Sequence, residues 1–159
     1  TAGFPAVEAV VAASSQVASV PIVGAVVGII NAKLDPVDGN MTGGSISLDT
    51  PVYRAASTKQ YVLVADSPDL IFEAEADAAV AYATVGLNAD IGASAHTNPL
   101  LTGASPMYVY STTAPSASAT RPLQIVGIVK RPDNEANAAY NKVLVKITTH
   151  AYGNAVAGV

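Results

Sequence analysis

Polar and apolar positions along this chain fall into short runs rich in Val, Ile, Tyr and Thr. They stand at 45–48 (SISL), 61–65 (YVLVA), 70–76 (LIFEAEA), 79–87 (AVAYATVGL), 107–111 (MYVYS), 123–130 (LQIVGIVK) and 142–152 (KVLVKITTHAY). Residues of this kind, bounded by turn formers, predict β-strands. Turn and loop chemistry separates them at 34–44 (LDPVDGNMTGG), 92–106 (GASAHTNPLLTGASP) and 112–122 (TTAPSASATRP). Val and Ile together number 30 against nine Leu, which favours sheet over a helix bundle. One short helix is predicted at Asp133–Tyr140, with Asp133 capping a turn after Pro132. Seven or eight short strands with loops of this size predict an all-β fold, a small β-barrel or a jelly-roll-like β-sandwich.

The N-terminal pattern is different. Ala9–Asn31 carries no charge, and its strongly apolar part is confined to Ile22–Ile30. Ser14, Ser15, Gln16, Ser19 and Pro21 interrupt the run, so it falls short of the roughly 20 apolar residues of a membrane span. Valine favours extended backbone, and Pro21 breaks any helix through the segment. The expectation is an extended arm and linker over 1–44 ahead of a β domain over 45–159. Two placements for the arm are open: on another subunit, or on the chain's own core. The first makes Val20, Ile22, Val23, Val26, Val27, Ile29 and Ile30 its buried contacts.

Five of the twelve carboxylates lie within Asp66–Asp77, DSPDLIFEAEAD. In a strand, alternate residues share a face. Leu70, Phe72, Ala74 and Ala76 then point one way, and Ile71, Glu73, Glu75 and Asp77 the other. Same-face neighbours stand about 6.5–7 Å apart, a spacing that overlaps the separations of glycosidase carboxylates. Those groups flank a bond from opposite sides, however, whereas these point the same way. The closely spaced oxygens of a calcium loop are also absent. The expected role is an acidic, solvated or partner-facing strand face.

Only 13% of residues are charged, against about 25% in a typical soluble domain. Part of the surface is therefore expected to be covered by copies of the chain or by something larger. The net charge is −4 and the only adjacent basic pair is Lys130–Arg131, so no phosphate-binding stripe exists and nucleic acid is not an expected partner. There is no cysteine for disulfide or thiol chemistry. His96 and His150, the two histidines, lack any metal-ligand spacing, and His150 reads as a structural hydrogen-bonding residue. No catalytic, metal or cofactor motif is present, and neither enzymatic activity nor a cofactor is expected. Asn40–Met41–Thr42 fits a glycosylation sequon, a short pattern that arises often by chance. Tyr108 and Tyr110 share one strand face and are the best candidates for contacts to a sugar, the alternative being a small carbohydrate-binding β-sandwich.

The segments VLVADSPDLIFEAEAD (62–77) and VGLNADI (85–91) resemble small head proteins of tailed bacteriophages. In these, a D-x-P-x-x-x-F-E strand precedes a V-G-x-N-A segment. RPLQIVGIVKRPDNE (121–135) and NKVLVKITTHAY (141–152) fit the same pattern, with a strand ending in a late histidine. The likeness covers roughly residues 50–152 and rests on the order and spacing of the segments. It implies a capsid decoration, or cement, protein: a β-rich domain on the outer surface of the virion head, made in the bacterial host cytoplasm. It further implies binding to the major capsid protein and a homo-oligomer, a trimer in preference to a dimer. A head fibre or tail component is the nearest alternative.

Overall fold

The computed structural model describes residues 21–30, 33–34, 41–42, 61–93, 107–153 and 158. Within them the chain is all-β. The strands are β1 (Ala25–Ile30), β2 (Lys33–Leu34), β3 (Met41–Thr42), β4 (Tyr61–Ala65), β5 (Ile71–Glu75), β6 (Asn88–Ala93), β7 (Met107–Tyr110), β8 (Leu123–Ile128) and β9 (Lys142–Ile147). A curled antiparallel sheet in the order β5-β9-β8-β6-β7 forms a half-barrel. β1 pairs with β4, and β2 with β3, as separate two-stranded ribbons.

Alternation dictates the inner face. In β9, Val143, Val145 and Ile147 are buried while Lys142, Leu144 and Lys146 point outward. Val80, Val109 and Ile125 are fully buried, and Phe72, Ala74 and Ile91 pack on this cluster. Each full burial of a Val or Ile side chain contributes about 1.5–3 kcal/mol, which makes the hollow of the curled sheet the main source of stability. β8 departs from strict alternation: Leu123, Ile125 and Ile128 all face inward. A β-bulge between Ile125 and Gly127 makes this possible, since the extra residue, Val126, shifts the phase by one.

The two edges of the sheet meet at one corner. Ala76, just past β5, forms a parallel bridge with Val109 of β7, and Asp77 N–H donates to the Val109 carbonyl at 3.1 Å. The Asp77 carboxylate then accepts from the backbone N–H groups of Ser111 (2.6 Å) and Thr112 (3.1 Å). Their hydroxyls add contacts of 2.9 and 2.8 Å. Burial works against the charged form of Asp77, but these hydrogen bonds outweigh it and hold its pKa below the ordinary aspartate value.

Two expected elements are replaced. The run at 79–87 is not a strand; it holds a 3₁₀ turn at Tyr82–Thr84, and the strand begins later, at Asn88. Val80 is buried there, but its N–H and C=O are satisfied by the Asn141 side-chain amide at 3.2 and 2.8 Å, not by a neighbouring strand. The predicted helix at Asp133–Tyr140 is a series of turns. Asn137 and Tyr140 take positive φ values of 65° and 61°, incompatible with a right-handed helix. Asn134 turns its side chain onto the Val129 and Lys142 carbonyls and the Lys142 N–H, competing with helical hydrogen bonds. The run at 45–48, His96 and Asn40 lie outside the described residues.

Candidate interaction surface

The apolar N-terminal segment divides into a docked part and a displayed part. Ile22 is docked: its side chain joins the buried core, its N–H donates to Thr149 O at 3.0 Å, and its carbonyl accepts from Ala151 N at 2.9 Å. It thus lies parallel to the chain just beyond β9, bridged to His150. Gly24 follows, where the backbone passes so close to β4 that a Cβ would fall 2.0 Å from the Ala65 carbonyl oxygen. Only glycine permits this approach.

The displayed part is β1. Its pairing with β4 runs from Ala25↔Ala65 to Ile30↔Tyr61, with a bulge between Val26 and Gly28 that leaves Val27 as the extra residue. Regular alternation would turn one of two successive valines away from solvent, but the bulge re-aims them. Val26 and Val27 are 60% and 57% exposed. Of the other residues expected to form an interface, Val23 is half-buried. Ile29 and Ile30 pair through their backbones with Val62 and Tyr61, and Val20 lies outside the described residues. The structure therefore separates Ile22, a core residue of its own chain, from the valine pair at the surface.

The acidic strand behaves as alternation predicts over β5, with Ile71, Glu73 and Glu75 exposed and Phe72 and Ala74 turned inward. Glu73 pairs with Arg131, and Asp69 accepts from Lys146 at 2.8 Å. The Lys146 hydrogen bond and charge hold the Asp69 carboxyl below its ordinary range. Exposed pairs of this kind contribute little to stability. Asp77 departs from the expected face, because the strand ends at Glu75 and the next turn delivers its carboxylate to the corner with β7.

On the outer face of β6 and β7, sequence reasoning singled out Tyr108 and Tyr110 but gave no role to Asp90, Gly92 or Arg121. Directly opposed residues there are Asp90↔Tyr110 and Gly92↔Tyr108, so all four side-chain positions share one face. The Tyr108 ring lies across Gly92, where an added Cβ would sit 2.4 Å from the ring. Tyr110 stands beside it, with ring centroids 6.4 Å apart and planes tilted by 37°. Asp90 is only 4% exposed. Its Oδ2 faces Arg121 Nε at 3.6 Å, and its Oδ1 has no hydrogen-bond donor. Burial raises the Asp90 pKa, partly offset by Arg121. Arg121 also donates to the Ala114 carbonyl at 2.7 Å, tying the 112–122 loop to this face. A buried acceptor lacking a donor costs about 1–3 kcal/mol, more when charged.

His150 is buried, as a structural histidine should be. Its Nδ1 accepts from the Tyr152 N–H at 3.0 Å, and its ring lies 5.7 Å from that of Tyr152. Among the described residues no three His, Cys, Asp or Glu side chains are grouped to hold a metal ion. No helix among them is long and apolar enough to cross a membrane. No protein-family model, curated protein or solved structure matches the chain.

Proposed function

We propose that this chain is a non-enzymatic structural protein of a tailed-bacteriophage head. It decorates the outer surface and stabilises the shell by bridging neighbouring major capsid protein subunits as a homo-oligomer, a trimer in preference to a dimer. The observation that carries this reading is the valine pair raised by the β1 bulge on a two-stranded ribbon. An isolated two-stranded ribbon is marginal in water, and one that displays adjacent apolar side chains gains from being covered. Each Å² of apolar surface buried contributes about 25 cal/mol before association costs. Repetition over a shell turns a weak contact into a strong one. The segments that resemble phage head proteins support the same reading, because 62–77, 85–91, 121–135 and 141–152 contribute β5, β6, β8 and β9 of a single sheet.

Quantitative mass spectrometry of purified particles tests it. A molar ratio to the main shell protein near one to one supports decoration. A ratio of a few per cent identifies a fibre or tail component instead, and absence from particles overturns a virion role. In decorated particles, Val26→Asp should lower occupancy while leaving the domain folded. Unchanged occupancy would remove β1 from the contact.

A further inference from the structure

We propose that the outer face of β6 and β7 is a binding site for a neutral saccharide, a function independent of attachment to a capsid. Three features converge on it. The first is an aromatic floor: Tyr108 lies across Gly92, and Tyr110 continues the surface at a centroid separation of 6.4 Å. The inward side of the same strand pair is filled by Val109 and Ile91, so neither tyrosine serves the core. Aromatic faces of this kind take the C–H face of a sugar ring, and the tyrosine hydroxyls supply a polar tip at its edge.

The second feature is Asp90, directly opposite Tyr110 on the same face and 4% exposed, with an Oδ1 that lacks a donor. Arg121 engages only Oδ2, so the other carboxylate oxygen is left over from that pairing. A ligand hydroxyl reaching Oδ1 supplies the missing donor, and polar groups so placed fix a ligand's orientation. The third is Arg121, 3.6 Å from Asp90 Oδ2, which decides the class of ligand. A carboxylate alone beside aromatic rings would favour a quaternary ammonium. With its charge offset by Arg121, the site instead favours a neutral ligand rich in hydroxyl donors and acceptors.

The test is an array of immobilised neutral hexose and N-acetylhexosamine oligosaccharides probed with the whole chain, alongside a choline-coated surface, followed by solution titration with the best glycan. The expected result is retention on one or more neutral glycans, with affinity falling at least about tenfold in Tyr108→Ala and in Asp90→Asn. Gly92→Ala should act in the same direction, because its methyl group displaces the Tyr108 ring while leaving the residue in place. That variant decides the matter should Tyr108→Ala fail to fold, and circular dichroism checks each protein. Retention on no neutral glycan, affinity unchanged in folded Gly92→Ala, or preference for choline would each overturn the proposal.

Discussion

At the scale of single residues, two aspartates behave in opposite ways. Asp77 has a depressed pKa, so its contribution to stability is full above the ordinary aspartate value of 3.8 and is lost as pH falls through its lower folded value. Asp77→Ala should cost about 2 kcal/mol at pH 7, the lower part of the range for charged hydrogen bonds because the carboxylate is partly solvated. Urea titrations should show that penalty shrinking towards pH 2. Asp90 has a raised pKa, so the sign reverses: its protonated form favours the fold, and that contribution is lost as pH rises through the folded value. Arg121→Ala, which strands a buried carboxylate, should cost about 3 kcal/mol at pH 7. The variant should recover stability on mild acidification, and a loss that is independent of pH would contradict this account. Neither role was legible in the sequence. Asp77 sits in phase with Glu73 and Glu75, and only the end of β5 at Glu75 separates them.

At the scale of elements, β4, β5, β7, β8 and β9 were legible as short runs rich in Val, Ile and Tyr bounded by turn residues, with alternation plain in β5 and β9. The 79–87 run misled because Val80 and Tyr82 have strand propensity while Asn141, 61 residues away from Val80, supplies the hydrogen bonds. A partner so distant in sequence leaves no local signal. Asn141→Ala should therefore cost roughly 1–3 kcal/mol, since it leaves the buried Val80 N–H without a partner, while the Val80 carbonyl keeps only the Asn137 N–H. Chemical denaturation followed by far-UV circular dichroism measures this directly. Both bulges carry the same local text, Val27-Gly28-Ile29 and Val126-Gly127-Ile128, with valine as the extra residue in each. In β8 the phase shift returns Ile128 to the core; in β1 it puts an apolar pair on the surface. The dipeptide is readable, but its consequence depends on what lies behind the strand.

At the scale of the whole molecule, the N-terminal segment is continuous with the half-barrel, and its two valine and isoleucine sets should respond differently to mutation. Ile22→Ala opens a cavity in the core and should cost about 2–4 kcal/mol. Val26→Asp, at an exposed site, should shift stability by less than about 0.5 kcal/mol. Thermal melts of the two variants separate docking from display, and comparable losses would show that β1 is also part of the folded unit's support. The corner at Asp77 has a mechanical meaning as well. A curled sheet whose ends are joined at one corner, by the Ala76–Val109 bridge and the Asp77 and Ser111 side chains, is a split ring, and its compliance is set at the split. Opening it in acid takes up one proton per chain only between the clasp's depressed pKa and the ordinary aspartate value of 3.8, a linkage of about 1.4 kcal/mol per pH unit inside that window. On an assembly of many such rings, each held at its neighbours, a change in radius would be admitted first at that gap, with the strands elsewhere keeping their register.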